Sequence, residues 1–191
     1  MRPFLFIKGW LKKCHKNNKG INMDKNIDEF RFVITNNTIN NFKVDPRSAV
    51  DFIDFYINRK ERVRLFKSGV KKNKFFYIKT IPGRITKNSI EIDEEKAKKM
   101  ASINNVELIV KKTGIGSILI DGKEGYIERV QVEHVRSKKL IWDEVHIEFE
   151  LPYKDISILR QKINPIRVIE VGLYDYISTK NKPYINDAET K

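Results

Sequence analysis

The stretch Asp143–Leu151, which reads DEVHIEFEL, alternates between charged and apolar residues without a break. Successive side chains of a β-strand point to opposite faces of its sheet. The stretch therefore predicts a strand with one apolar face and one face that carries Glu144, His146, Glu148 and Glu150. Carboxylates that share a face repel one another. This face is therefore either solvated or opposite a positive partner, which can be a divalent cation or a wall of lysine and arginine.

The composition indicates one domain with a large excess of positive charge. The chain has 191 residues, of which 40% are hydrophobic, and its formal net charge at pH 7 is +13. A charge of this sign and size favours anionic partners such as nucleic acid, nucleotides or polyphosphate. Cys14 is the single cysteine of the sequence, which excludes an internal disulfide and a cysteine metal site. This agrees with a reducing, cytoplasmic location.

The composition also divides the chain into three parts. Residues 1–22 are expected to form a flexible or accessory basic extension, and residues 23–177 the folded domain. The apolar start of the extension is too short to span a bilayer and lacks the cleavage site of a signal peptide. We therefore expect no membrane span. Residues 178–191 are expected to form a polar tail.

The periodicity of the domain predicts about eight short strands and three amphipathic helices. The helices are expected at 46–58, 94–103 and 153–163, and the last strand at 167–177. Strands that follow one another through short turns pair antiparallel. The prediction is an α+β fold whose strands have one apolar and one charged face. Either an open sheet with a solvated face or a closed β-barrel with a polar interior, a tunnel with the helices packed on its outside, accounts for this pattern.

In chain order, the charged motifs resemble those of the CYTH group, the triphosphate tunnel metalloenzymes. The resemblance covers roughly residues 27–175 and is carried by Arg62-x-Arg64, Tyr77-Ile78-Lys79-Thr80, Arg84 before Glu91-x-Asp93, Ile109-x-Lys111 and the acidic strand from Glu144 to Glu148. It implies an antiparallel tunnel of eight strands, in which basic side chains hold a triphosphate and carboxylates hold metal ions. The substrate would be a triphosphate-bearing molecule, either an RNA 5′ end or a small-molecule triphosphate such as a nucleotide.

The resemblance also implies roles for individual residues. The phosphates of the substrate would be bound by Arg31, Arg62, Arg64, Lys79, Arg84 and Lys111. One or two Mg²⁺ or Mn²⁺ ions would be bound by Glu29, Glu91, Asp93, Glu148 and Glu150. Glu148 and Lys79 are the residues expected to act in catalysis.

The chain departs from the pattern of this family at two positions. Ile27 replaces the first of the two glutamates that are typical of the first strand, and Thr113 replaces a basic residue two positions after Lys111. Three functions stay open: a metal-dependent triphosphatase, a non-catalytic module that binds nucleic acid or another polyanion through its phosphates, and a structural protein. Most aromatic residues fall on apolar faces, so the sequence does not predict a platform for stacking bases. For His146 we expect a structural role.

Overall fold

The computed structural model describes residues 27–80, 87–152 and 155–180. The extension 1–22 and Arg84 lie outside the described residues, so the predictions made for them are not addressed. Within the described ranges the strands are β1 (Ile27–Ile34), β2 (Phe52–Tyr56), β3 (Glu61–Phe66), β4 (Phe75–Thr80), β5 (Lys87–Ile92), β6 (Leu108–Ile120), β7 (Lys123–Glu133), β8 (Leu140–Pro152) and β9 (Arg167–Ile169).

These strands form a single antiparallel sheet in the order β5-β4-β3-β2-β6-β7-β8-β1-β9. The long strands β6, β7 and β8 make its centre, and β1 pairs with β8 along its whole length. The α+β class and the antiparallel pairing are therefore confirmed. Strands β5 and β9 are the two edges and do not pair with each other, so the described residues form an open sheet and not the closed barrel that the resemblance implies.

The α-helices of the described ranges are short: α1 (Asn36–Ile39), α2 (Glu94–Met100), α3 (Ile156–Ile163) and α4 (Leu173–Lys180). Helix α2 begins where the side chain of Asp93 accepts a hydrogen bond from the backbone N–H of Lys96 at 2.7 Å, which satisfies one free donor of the first turn. No helix in these ranges is both long enough and apolar enough to cross a membrane.

Two predicted elements are wrong. The helix expected at 46–58 is a single 3-10 turn at Pro46–Ser48 followed by β2, because Phe52, Asp54 and Tyr56 alternate with half-buried residues and strands pair on both sides. The strand expected at 167–177 ends at Ile169, and α4 follows it. Residues 178–180, assigned to the tail, complete this helix.

One face of the sheet, here called the outer face, is apolar. It presents Phe30, Phe32, Ile147 and Phe149, all of which are buried, and helix α3 packs on them through Leu159 and its neighbours. The rings of Phe32 and Phe149 meet edge to face at 5.7 Å. The prediction that the helix near 153–163 lies against the apolar strand faces is confirmed.

The opposite face, here called the inner face, carries the charged residues Arg31, Asp54, Arg64, Lys112, Glu128 and Glu148. Helix α4 covers one end of it and packs on an apolar cluster that includes Val33, Val110 and Val130. Although α4 follows the edge strand β9, its Tyr174 ring lies 5.6 Å from that of Tyr56 in β2. The sheet must therefore curl around the inner face to bring its two halves to the same helix.

Candidate functional site

Charged and polar side chains form a buried layer in the middle of the inner face. Its members, all with less than a tenth of their surface exposed, are Arg31, Asp54, Arg62, Arg64, Lys112, Glu128, His146 and Glu148. Charges are costly to bury unless each meets a partner of opposite sign. The contacts of the layer divide it into a basic half on β2 and β3 and an acidic half on β1, β6, β7 and β8.

The basic half is built around Asp54. This carboxylate, fully buried, accepts two hydrogen bonds from Arg64, at 2.6 Å from Nε and 2.7 Å from Nη2, and lies 3.3 Å from Nε of Arg62. Burial alone would raise the pKa of Asp54, but the two guanidinium groups outweigh it and lower the pKa to about 2. One carboxylate thus faces two arginines, and this half of the layer has an excess of positive charge.

The acidic half is built around Arg31. Its Nη2 lies 2.5 Å from Oε2 of Glu148 and 2.6 Å from Oε1 of Glu29. Lys112 donates to Glu128 at 2.5 Å, and its Nζ lies 3.8 Å from Glu148. Two cations therefore face three carboxylates in this half, and the register places a fourth, Glu150, directly opposite Glu29.

Burial and the crowding of carboxylates shift the protonation of this half. Burial raises the pKa of the Glu148 carboxyl, and the charge of Glu29 adds to the shift, although Arg31 opposes it. Burial would lower the pKa of Arg31, but the surrounding carboxylates hold it above its ordinary value. Burial lowers the pKa of Lys112. Glu148 is therefore the carboxylate of the layer whose charge is least well compensated.

Three glutamates at the acidic end of the layer lie close together. One carboxylate oxygen from each of Glu29, Glu148 and Glu150 lies within 4.8 Å of the other two. Two oxygens bound to the same Mg²⁺ ion, each at about 2.1 Å, are at most about 4.2 Å apart. To share one ion, these side chains would have to move closer together, and Nη2 of Arg31, which lies against both Glu29 and Glu148, would have to move away.

Some buried side-chain nitrogen atoms of the layer have no hydrogen-bond partner within the described residues. These are Nε and Nη1 of Arg31, Nε of Arg62 and Nδ1 of His146. Buried polar atoms are nearly always satisfied by protein, water or a ligand. The three guanidinium N–H groups point to an anion or to water as the missing partner.

His146 connects the layer to the end that α4 covers. Its Nε2 lies 3.1 Å from Glu144, which also accepts hydrogen bonds from Nε1 of Trp142 and the hydroxyl of Tyr176. Burial lowers the pKa of His146, so its ring is neutral at pH 7. The structure agrees with the structural role expected for this histidine, since its buried ring packs against that of Tyr176 in α4, with 6.4 Å between the centroids.

The end of the inner face opposite α4 is here called the rim. There the hydroxyl of Tyr126 accepts a hydrogen bond from the backbone N–H of Val50 at 2.8 Å. The side chain of Tyr126 passes over Gly114, where an added Cβ would lie 2.1 Å from the hydroxyl oxygen. A glycine at this position is therefore needed to let Tyr126 pin the segment before β2 to the rim.

Of the residues predicted to bind substrate or metal, six lie in the layer or at its rim: Glu29, Arg31, Arg62, Arg64, Glu148 and Glu150. Lys79 and Lys111 do not: both lie on the outer-face side of their strands, where Lys79 is 3.4 Å from Glu61 and Lys111 is 2.5 Å from Glu133. Neither reaches the buried layer, so the predicted phosphate-binding roles of both residues, and the catalytic role of Lys79, have no support in this arrangement.

Two predicted metal ligands are also placed elsewhere. Glu91 lies near the edge of the sheet, is about half exposed, and pairs with Lys74 at 2.9 Å. Asp93 caps helix α2. Within the described residues, the group of carboxylates close enough to share an ion does not include either of them.

Sequence reasoning missed three charged members of the layer, Asp54, Lys112 and Glu128. Asp54 lies in a segment predicted to be helical. Lys112 was not predicted because Leu108, Ile109 and Val110 are apolar and buried in succession, so the sequence there does not show which residues share a face. Lys112 and Glu128 each lie two residues from a buried valine, Val110 and Val130 respectively. In a strand this spacing would have assigned both charged residues to the same buried face as the valines.

A pocket of about 410 Å³ opens at the other end of the sheet and is separate from this layer. It is lined by residues that include Thr35, Arg129, Asp143 and Arg167. Arg129 and Asp143 are already paired with each other at 2.5 Å. The buried layer, with its unpaired donors, is therefore the stronger candidate for a functional site.

Comparison of the chain with protein-family models, with curated proteins and with solved structures gave no match.

Proposed function

We propose that the inner face binds a triphosphate and that the protein hydrolyses it with the help of Mg²⁺ or Mn²⁺. The curled sheet would be the wall of a triphosphate-binding tunnel, as the resemblance to the CYTH group implies. The observation that carries the proposal is the uneven division of charge in the buried layer. An excess of arginine on β2 and β3 faces an excess of glutamate on β1, β7 and β8.

The basic half of the layer lacks an anion, and the acidic half lacks a cation. In the basic half Arg62 and Arg64 share the single carboxylate of Asp54, so an anion would balance the remaining charge. In the acidic half Glu29 and Glu148 share Arg31, and a divalent cation would balance the remaining carboxylates. A metal-bound triphosphate supplies both kinds of charge in one ligand.

The side chains present are suited to phosphoryl transfer to water. Catalysis of this reaction depends mainly on positioning and on neutralising the charge of the transferred group. The unpaired N–H groups of Arg31 and Arg62 would bind phosphate oxygens. A bound Mg²⁺ or Mn²⁺ ion would supply Lewis-acid stabilisation of the phosphate oxygens. As water forms its bond to the terminal phosphorus and the anhydride P–O bond breaks, the carboxylate of Glu148, with its raised pKa, would accept the proton of the water.

A second candidate function is a non-catalytic module that binds polyanions. One observation favours it: Nη2 of Arg31 already lies within 2.6 Å of both Glu29 and Glu148, the position of a cation that bridges two carboxylates. If Arg31 replaces the metal, the protein binds triphosphate but does not hydrolyse it.

One assay separates these functions. Phosphate release is measured from tripolyphosphate, ATP and a 5′-triphosphorylated RNA, with Mg²⁺, with Mn²⁺ and with chelator. We expect metal-dependent release that falls by about 100-fold or more in Glu148→Gln, since a positioned proton acceptor contributes about 10²–10⁴. Binding without release under any of these conditions would support the non-catalytic module instead.

The matched control is Glu133→Gln. Glu133 is also a strand glutamate paired with a lysine, Lys111, but it lies outside the buried layer. This variant should keep full activity. Equal loss in both variants, or turnover that needs no metal and survives Glu148→Gln, would contradict the proposed role of the acidic half.

A further inference from the structure

Three phenylalanine side chains continue the charged layer to the rim on the side of the basic half. They are Phe52 in β2, Phe66 in β3 and Phe76 in β4, and they share the inner face with Arg64. The ring centroids of Phe52 and Phe66 are 5.8 Å apart, and those of Phe66 and Phe76 are 5.5 Å apart. We call this set the aromatic row. Its three members are exceptions to the expectation that most aromatic residues lie on apolar faces.

Cations lie against the aromatic row at both ends. The guanidinium carbon of Arg64 is 3.7 Å from the ring centroid of Phe52, and Nζ of Lys112 is 5.4 Å from it. At the outer end, Nζ of Lys71 lies 4.2 Å from the ring centroid of Phe76 and 5.6 Å from that of Phe66. The row thus leads from the arginine proposed to bind phosphate to a lysine at the surface.

Phe66 is the ring of the row that is not fully buried. Nζ of Lys71 lies 5.6 Å from its ring centroid, and the turn between β3 and β4 that holds this lysine also carries Lys67, Lys72 and Lys74. A partly exposed ring beside cations is the arrangement on which proteins stack nucleobases, because every base has a π-face and arginine or lysine adds a cation–π contact.

We propose that Phe66 stacks the base of a nucleoside 5′-triphosphate whose phosphates reach Arg64 and Arg62. This rests on the proposed function and names its class of substrate: a nucleoside triphosphate rather than inorganic triphosphate. Free nucleotides and the 5′ end of an RNA share this chemistry. The same turn carries Lys67 and Lys72, both exposed, which would supply positive charge for the phosphates that follow the first nucleotide of an RNA.

The test compares ligands that differ only in the base. Dissociation constants of the full chain are measured for ATP, ribose 5′-triphosphate and tripolyphosphate, with and without Mg²⁺. We expect ATP to bind more tightly than ribose 5′-triphosphate by roughly 5- to 150-fold, the range measured for one stacked base. Equal affinity for these two ligands would overturn the stacking role. Absence of binding to all three, tripolyphosphate included, would overturn the proposed function itself and the stacking with it.

Variants locate the effect. Phe66→Leu keeps an apolar side chain but removes the aromatic face, so it should abolish the preference for ATP and leave the affinity for tripolyphosphate unchanged. Phe75→Leu is the matched control, because Phe75 is half-buried, lies next to Phe76 in β4 and points to the other face. A preference for ATP that survives in Phe66→Leu would overturn the assignment.

A further binding experiment distinguishes the 5′ end of an RNA from a free nucleotide as the ligand. A short 5′-triphosphorylated RNA is compared with ATP in the wild type and in Lys72→Ala. Tighter binding of the RNA that weakens in Lys72→Ala identifies the RNA end as the ligand. Equal binding of RNA and ATP in both proteins identifies the free nucleotide. Either result supports stacking on Phe66 provided that Phe66→Leu lowers both affinities, and unchanged affinities in that variant overturn it.

Discussion

Replacement of Asp54 by asparagine should destabilise the protein strongly. The substitution keeps the shape of the side chain but removes the one negative charge that Arg62 and Arg64 share in the basic half. Loss of one partner of a buried ion pair costs about 3–5 kcal/mol, because the remaining charge stays buried without compensation. For a chain of this size each kcal/mol shifts the melting temperature by about 2–4 °C. The expected decrease is therefore roughly 6–20 °C.

Thermal and urea-induced unfolding of the full chain measure this effect. The matched control is Asp143→Asn, which removes a carboxylate that also forms a two-point contact with an arginine, Arg129, but at the partly exposed surface. Exposed ion pairs contribute about 0–1 kcal/mol, so the control should melt close to the wild type. If Asp54→Asn melts within the range of this control, the two arginines do not depend on Asp54 and the description of the basic half is wrong.

The same variant links stability to the proposed ligand. Without Asp54, the charges of Arg62 and Arg64 would be balanced only when an anion binds to them. Tripolyphosphate should therefore raise the melting temperature of Asp54→Asn by more than that of the wild type, since a ligand that binds only the folded state stabilises it. An equal or smaller shift in the variant would show that the anion does not bind at these arginines.

Asp54 also predicts how stability depends on pH. Its pKa is lowered from the ordinary value of 3.8 to about 2, because the attraction of the two arginines exceeds the cost of burial. A carboxyl group with a lowered pKa in the folded state stabilises the fold above its unfolded pKa, and this contribution is lost as the pH falls through the folded value. About 2 kcal/mol should therefore be lost between about pH 4 and pH 2. Asp54→Asn should lack this part of the acid transition.

The remaining predictions concern the rim, the closed end and the outer face. Gly114→Ala should destabilise the fold by about 1–3 kcal/mol in urea unfolding, because its Cβ would lie 2.1 Å from the Tyr126 hydroxyl oxygen. Ile177→Ala should cost about 2–5 kcal/mol, because Ile177 is fully buried between α4 and the inner face, and a normal melting temperature would contradict this packing. Lys79→Ala and Lys111→Ala should bind tripolyphosphate with wild-type affinity in calorimetry, because neither side chain reaches the buried layer.

Alternation along the sequence was sufficient to predict the residues that lie on strands with one apolar face. In β8 every second residue is apolar, so Glu148 was assigned to the charged face, where it lies. In β3 the alternation of Arg62 and Arg64 with Val63 likewise predicted their common face. The period of two is a property of the backbone, which is why these assignments needed no knowledge of the neighbouring strands.

The remainder of the fold and of the site depends on contacts between distant segments. Phe52 and Tyr56 are four residues apart, a spacing that suits one face of a helix as well as one face of a strand. The strand forms because β3 and β6 pair with the segment on both sides and place Asp54 opposite Arg64. The position of α4 on the inner face similarly depends on a distant contact, because its Tyr174 packs on Tyr56 of β2. Propensity and spacing cannot report pairings over such distances.

The charged layer is more than the fold itself requires. The inner face already has an apolar cluster under α4, and buried ion pairs can often be replaced by apolar residues without loss of stability. If the layer served packing alone, its charges would be expected to balance within each half and its donors to be satisfied. Instead the basic half keeps one guanidinium charge in excess, the acidic half keeps carboxylates in excess, and three guanidinium N–H groups lack partners within the described residues. These departures occur together, between the covered end and the rim, and a ligand that carries both phosphate and a divalent cation would remove all of them at once.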